Sequence, residues 1–295
     1  MKRIVVILLL VSSIGFAQNN EKENLKRNEE AAAKVGEEKP DGWKKGGTFS
    51  LIGNQSSFNN WLAGGQNSIA GNILVNYDFN YKKRDWSWDN KVLAGYGITK
   101  LKGADLQKSD DRLEYNSLLG KKASGYWYYS AFLNFKTQMD TGLDPETQTT
   151  KISHFFSPAY FQFGPGMMWK KSDNLKFNIA PATSKLIIVH DHFTELGSSF
   201  GVEQGDTSRY EFGAALNGYY KFNVMENVSV ENILNLYSNY LEDPQNVDID
   251  YQLNIVMSIN KYLSTNFTFH TIYDDNAFRG FQTRQNIGLG VNYAF

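Results

Sequence analysis

Alternation of apolar and polar residues, sustained over unusually long runs, restricts the fold of this chain more than any other feature. Between Ser68 and Tyr81, Ile69, Ile73, Val75, Tyr77, Phe79 and Tyr81 interleave with Asn72, Asn76, Asp78 and Asn80. Tyr210, Phe212, Ala214, Leu216, Tyr220 and Phe222 alternate with Arg209, Glu211, Asn217 and Lys221. The same texture runs through Ile249–Asn260 and Asn266–Asp274. A period of two is the signature of a β-strand, whose side chains point alternately to opposite faces. Each ribbon therefore has one apolar face and one polar, partly charged face. Soluble strands average about 5–6 residues, whereas a tilted strand crossing a bilayer needs about 9–11. Runs of that length suit a transmembrane wall, with lipid against the apolar face and a lumen against the polar one. The rival fold is a soluble sandwich, in which the apolar faces would meet each other.

The alternation predicts about twelve ribbons, near 47–55, 67–81, 85–99, 111–121, 125–138, 156–170, 174–186, 207–221, 228–241, 248–260, 263–275 and 283–295. Lys82-Lys83-Arg84, Lys122–Ser124 and Lys171-Ser172-Asp173 make brief turns after alternate ribbons. The other connections are mostly longer: Gly103–Asp110, Met139–Phe155 and His190–Asp206. Short turns at one end and long loops at the other is the outer-membrane pattern, with the short turns periplasmic. The expected fold is all-β: an antiparallel, up-and-down transmembrane β-barrel of about twelve strands over residues 46–295. An even strand count puts both ends of the barrel on the periplasmic side.

Met1-Lys2-Arg3 followed by the apolar run Ile4–Val11 and by Gly15-Phe16-Ala17 reads as a secretory signal peptide, residues 1–17, cleaved before Gln18. Its removal takes two positive charges from a chain of net charge −1, leaving −3. Residues 18–45, rich in Glu, Lys and Asn around Glu29–Lys34, read as a flexible, partly helical periplasmic tail. The expected location is the outer membrane of a Gram-negative bacterium. Lipid, lipopolysaccharide and the barrel-assembly machinery are expected partners, with other envelope proteins as further candidates.

Composition agrees. The chain has no cysteine, which excludes disulfides, thiolate metal sites and a lipid-modified N-terminal cysteine. Lys and Arg number 30 against 31 Asp and Glu, which argues against a nucleic-acid binder. Aromatics make up 15% of a chain whose mean hydropathy is −0.45. Two aromatic girdles around a polar lumen reconcile these figures, because Tyr and Trp favour membrane interfaces. Trp86, Trp88, Trp127, Tyr129 and Trp169 fall at ribbon ends and are the expected interfacial residues. The terminal Gly290-Val291-Asn292-Tyr293-Ala294-Phe295 resembles the last-strand signal by which outer-membrane barrels are recognised during assembly, with Gly290, Tyr293 and Phe295 in its key positions.

The chain has no H-E-x-x-H and no phosphate loop. Some outer-membrane barrels are lipases with a Ser–His pair on the lipid face, but parity puts His270 toward the lumen. His190-Asp191-His192 offers two imidazoles, and Asp140-x-Gly142-x-Asp144-x-Glu146 offers spaced oxygens; both read best as solvated loops. No metal, cofactor or enzymatic activity is expected. Inward parity falls on Lys91, Arg112, Glu114, Lys136, Arg209, Glu211, Lys221 and Glu231, and also on Asp78, Asp89, Lys176, Asp250, Asp274 and Arg284. Both signs are mixed, unlike the biased charge ring of an ion-selective pore.

The segment Phe58-Asn59-Asn60-Trp61-Leu62-Ala63-Gly64-Gly65-Gln66-Asn67-Ser68, after Trp43-Lys44-Lys45-Gly46-Gly47, resembles a family of Bacteroidetes secreted proteins known only as a domain of unknown function. The resemblance spans Trp43 to Phe295 and implies an outer-membrane location without an activity. Physically, Gly64-Gly65 suits a tight turn and Trp61 an interfacial or loop-packing anchor. Two non-catalytic functions remain in view: a narrow channel for small polar solutes, and a closed scaffold or accessory subunit of an envelope complex serving barrel assembly, lipoprotein export or secretion.

Overall fold

A computed structural model describes residues 41–57, 66–144 and 147–295. The expected signal peptide, residues 18–40 of the expected tail, and Trp61, Gly64 and Gly65 lie outside these residues. Twelve strands close into one antiparallel barrel: β1 (Gly42–Ser56), β2 (Ser68–Lys83), β3 (Trp86–Leu101), β4 (Leu106–Ser124), β5 (Trp127–Thr137), β8 (Ala159–Ser172), β9 (Leu175–Ile188), β10 (Ser208–Met225), β11 (Val228–Asn239), β12 (Asp248–Ser258), β13 (Leu263–Asp274) and β14 (Phe278–Ala294). Each pairs with its neighbours in chain order, and β14 returns to β1. All twelve expected ribbons are present. Two short strands, β6 (Gly142–Leu143) and β7 (Lys151–Ser153), add a small hairpin to the β5–β8 loop.

One boundary is corrected. Gly42–Lys45, read as tail because of their charge, are strand: Trp43 pairs with Tyr81 and Lys44 with Asn80. A charged residue costs nothing in a strand end that projects beyond the apolar zone, so composition misplaced this boundary.

Registers confirm which residues share a face. Asp78 opposes Lys91, Lys91 opposes Asn116, and Asn116 opposes Asn134, forming a row of polar side chains inside. One position along, Tyr77, Val92, Tyr115 and Phe135 form a row outside. The outer wall is left uncovered and apolar, with Phe49, Leu51, Ile69, Ile73, Phe163, Ile179, Ile287, Leu289 and Val291 all exposed. Soluble proteins rarely leave a contiguous apolar area of more than a few hundred Å² in water. The wall is thus inside-out relative to a soluble barrel, and the sandwich rival, which needs inward apolar faces, is excluded.

Aromatics gather at the short-turn end. Trp43 lies 5.8 Å from Trp88, Trp127 5.8 Å from Phe177, and Trp169 5.4 Å from Phe177 (ring centroids). Trp86 and Tyr129 are exposed on the same rim, and Lys121 Nζ lies 5.6 Å over the Trp86 ring. Every tryptophan among the described residues is at this end. The long-loop rim carries Phe and Tyr instead, as in Phe135–Phe161 and Tyr273–Phe281.

The seam is the shortest pairing in the wall, running from Thr48–Ala294 to Gly53–Leu289. Gly47 N–H donates to the Phe295 carbonyl at 2.9 Å, and Phe295 N–H donates back at 3.1 Å. The Phe295 ring stacks on Tyr77 at 5.8 Å and on Tyr293 at 6.2 Å. The terminal aromatics therefore lie on the outer wall, at the joint that closes the barrel.

A bulge where β9 faces β8 and β10 shifts register between Phe163 and Met167 and between Gly213 and Ala215. A Cβ on Gly166 would sit 2.4 Å from the Ile179 carbonyl oxygen, so only glycine admits this backbone approach. Gly166→Val should therefore cost about 1–3 kcal/mol or more. The check is the midpoint of the thermal shift between folded and unfolded gel bands, which should fall well below that of the parent.

Candidate functional site

The lumen holds several groups of ion pairs, each assembled from strands far apart in sequence. Nearest the short turns, the buried Asp89 carboxylate accepts from Lys170 Nζ at 2.7 Å, from Lys176 Nζ at 2.5 Å and from Ser87 Oγ at 3.3 Å. Lys91 Nζ lies 3.5 Å from Asp78 and 3.4 Å from Glu231. Glu231 also accepts from Tyr219 Oη at 2.8 Å and from Asn254 Nδ2 at 3.1 Å. Lys91 and Lys176 stand 5.6 and 5.4 Å from the Tyr219 ring, one more attraction for both cations.

The Lys91–Glu231 contact has a geometric meaning. Lys91 is on β3 and Glu231 on β11, and five strands separate these in either direction around the wall. The pair joins diametrically opposite walls. Arg112 on β4 and Gln252 on β12 stand in the same relation, and Arg112 Nη1 donates to Gln252 Oε1 at 3.3 Å. Gln252 Nε2 returns to Glu114 on β4 at 3.5 Å. Lys136 on β5 pairs with Asp250 on β12, which also holds His270 Nε2 at 2.9 Å. These side chains meet across the full lumen and tie its opposite walls together.

Between these groups lies a belt of carboxamides. Asn134 donates to Asn116, Asn178 to Asn217 at 3.5 Å, and Asn217 to Asn235 at 3.0 Å. Beneath it Phe132, Ala180, Ala215 and Tyr237 form a small buried apolar cluster with Leu118. Toward the long loops, Lys185 Nζ lies 3.2 Å from Glu211, 2.9 Å from Asp248 and 3.6 Å from Asp274. Arg209 bridges Glu211 at 2.9 Å and Glu242 at 2.7 Å, and Arg284 pairs with Asp110.

The long-loop mouth is also covered. In the loop between β9 and β10, Val189 and Val202 are fully buried and pack with Ile187, Tyr160, Phe193 and Phe200. Tyr160 and Ile187 are inner-wall residues, so the loop folds into the mouth. Arg209 Nη1 fastens it through the Gly201 carbonyl at 3.1 Å. At the other end the lumen is hollow: a cavity of about 340 Å³ is lined by Lys44, Asp78, Asp89, Lys91, Lys176, Tyr219 and Lys221, among others. The β8–β9 turn residues Asp173 and Asn174 also line it, which places its opening at the short-turn mouth.

Each sequence-derived lumen residue can now be located. Lys91, Arg112, Glu114, Lys136, Arg209, Glu211 and Glu231 are in the lumenal groups, and Lys221 is exposed at the cavity rim. Lys170, Asp110 and Asp248 share the inward parity of Tyr160, Arg112 and Asp250 and belong to the same groups, as does Lys185, the one that parity missed. The reason for Lys185 is the bulge: even positions of β9 face inward up to Ala180, and odd ones from Thr183 onward. Of the loop candidates, Asp140 accepts from Tyr96 Oη at 2.8 Å, and this bond holds its carboxyl below the usual carboxylate range. His190 Nδ1 lies 2.6 Å from Asp191 and accepts from His192 N–H, so it is engaged within its own short 3-10 turn. Asp248, Asp274 and Asp275 come together from two strands and a turn, beyond the reach of spacing arguments.

The family described as "Protein of unknown function (DUF3078)" matches residues 53–143, which contain the Phe58–Ser68 segment that carried the resemblance. The match covers about a third of the chain and stops well short of Phe295. No curated protein matches in sequence. Among solved structures, the chain is similar to the translocator domain of autotransporter NalP from Neisseria meningitidis, with 9% identity, 95% of this chain and 98% of that chain covered, and a TM-score of 0.33. It is similar to an outer membrane channel from Pseudomonas putida F1, with 10% identity, 88% and 96% covered, and a TM-score of 0.38. It is also similar to the outer membrane channel DcaP of Acinetobacter baumannii, with 9% identity, 86% and 96% covered, and a TM-score of 0.33.

Removing one partner of a buried ion group leaves the others uncompensated and typically costs about 3–5 kcal/mol. Asp89→Leu should lose that much in urea unfolding of lipid-reconstituted protein. Combining it with Lys170→Met and Lys176→Met should restore most of the loss, because no unpaired charge then remains buried.

Proposed function

We propose that this protein is an integral outer-membrane β-barrel, non-catalytic, with its lumen sealed in the resting state. On this reading it is a scaffold or accessory subunit of an envelope complex. The observation that carries the reading is the contact between diametrically opposite walls, Lys91–Glu231 and Arg112–Gln252. The in-folded β9–β10 loop supports it independently. The uncovered apolar wall supports residence in lipid, and the aromatic rims fit its two interfaces. Short turns on the side of both barrel ends support a periplasmic short-turn mouth, with lipopolysaccharide beside the long loops. Gly290, Tyr293 and Phe295 at the closing seam suit recognition by the barrel-assembly machinery.

The second reading, a narrow channel for small polar solutes, is favoured by one feature. The short-turn cavity already reaches in as far as Lys91, one partner of the seal. Reversible release of the contacts beyond it would open a path.

Planar-bilayer recording separates the two. The purified mature protein should give no conductance steps above background. Lys91→Ala, Glu231→Ala and Arg112→Ala together should remain silent while the loop still covers the mouth. Replacing residues 192–205 by a short Gly-Ser turn in that triple variant should produce steps. Steps from the unmodified protein would contradict the sealed reading and establish the channel. In cell fractionation the protein should need detergent for release from membranes; recovery in plain buffer would contradict the membrane assignment.

A further inference from the structure

The cavity at the short-turn mouth is more specific than an empty vestibule. Lys91, which lines it, reaches across to Glu231 on the opposite wall. Its volume of about 340 Å³ lies within the range of small-molecule sites. Its charges are unevenly committed. Each lining carboxylate already holds a lysine: Asp78 holds Lys91 at 3.5 Å, Asp89 holds Lys176 at 2.5 Å, and Asp173 holds Lys170 at 3.4 Å. Lys44 and Lys221, by contrast, are exposed at the rim and have no carboxylate within ion-pair distance among the described residues. The lining carries five lysines against three carboxylates, so its net charge is positive.

Its neutral polar groups have a chemistry of their own. Asn116, Asn134, Asn217 and Asn235 line the cavity from four strands. An amide group has two donor hydrogens and two acceptor lone pairs. Asn116 and Asn235 use only their oxygens in the belt, as acceptors from Asn134 and Asn217. Their N–H groups are left over for a solute. Leu118, Phe132 and Ile233 supply an apolar patch among these amides.

We propose that this cavity binds a small hydroxylated organic anion, entering from the short-turn side. Lys44 and Lys221 receive its carboxylate or phosphate, and the asparagine belt hydrogen-bonds its hydroxyl groups. Charge-assisted bonds at the rim favour the anion over a neutral analogue, while the amides distinguish a hydroxylated solute from a bare ion. The site deepens the sealed-lumen reading by assigning a ligand to its open end. It stands or falls separately, because binding is measured without conductance.

The test is isothermal titration of the full mature protein in detergent with glucose 6-phosphate, glucose and inorganic phosphate. Glucose 6-phosphate should bind, weakening as salt is raised. Glucose and inorganic phosphate should each bind roughly tenfold more weakly or worse, the loss expected for one charge-assisted bond or its equivalent in amide contacts. Lys44→Met with Lys221→Met should weaken glucose 6-phosphate by about tenfold. Both lysines are exposed, so the variant keeps the folded gel migration. Asn116→Leu with Asn235→Leu should weaken glucose 6-phosphate but leave phosphate unchanged. Absence of glucose 6-phosphate binding overturns the proposal, as does equal binding of glucose or undiminished binding by the lysine variant. Equal binding of inorganic phosphate overturns the role of the belt and the hydroxylated class with it. Conductance by the unmodified protein together with specific glucose 6-phosphate binding would overturn the seal and leave the site standing.

Discussion

Closure of the hydrogen-bond ladder governs everything else in this molecule. A strand edge exposed to hydrocarbon leaves backbone N–H and C=O groups with no partner, at several kcal/mol each, so a sheet in lipid must close on itself. Here β14 returns to β1 through the shortest register in the wall, from Thr48–Ala294 to Gly53–Leu289, extended by the Gly47–Phe295 pair. The stacked rings of Tyr293, Phe295 and Tyr77 lie over that joint. The last residues of the chain are thus structural in a direct sense: they complete the ring on which the two-faced strands depend.

Once the ring is closed, its two faces face opposite solvation problems. The outer face needs only apolar side chains. The inner face of twelve strands carries polar and charged groups in a space with little room for water, and each must find a partner. The solution is to pair across the lumen as well as along one wall. Lys91 reaches Glu231, Arg112 reaches Gln252 and Lys136 reaches Asp250, all between remote strands. Such pairs return little net stability against hydrophobic replacements. What they add is geometry, since they tie opposite walls together. The short-turn cavity is the part of the lumen these ties leave unfilled.

Much of this was legible in the sequence, for a physical reason. A period of two is local, so Ile69–Tyr81 and Tyr210–Phe222 announce both their strands and their faces without any knowledge of neighbours. Lys91, Glu114, Glu211 and Glu231 could be assigned inward on parity alone. Parity fails where the backbone breaks it. The bulge in β9 hid Lys185, and the charge of Lys44-Lys45 disguised the start of β1. Partnership was not legible at all. Lys91 and Glu231 are 140 positions apart, and only the closed topology brings them face to face. The in-folding of the β9–β10 loop was equally hidden, because Val189, Phe193, Phe200 and Val202 have no periodicity that marks them as buried.

The most direct test of a sealed lumen is the distance between the opposed charges in a bilayer. Solid-state NMR dipolar recoupling between ¹⁵Nζ-labelled lysine and ¹³Cδ-labelled glutamate reads such contacts, which lie within about 4 Å in an ion pair. Protein reconstituted in lipid should show a dephasing component that is lost in the Lys91→Met variant, leaving the Lys185–Glu211 contribution in place. A dephasing curve unchanged by Lys91→Met would mean that the walls do not meet, and would contradict the account.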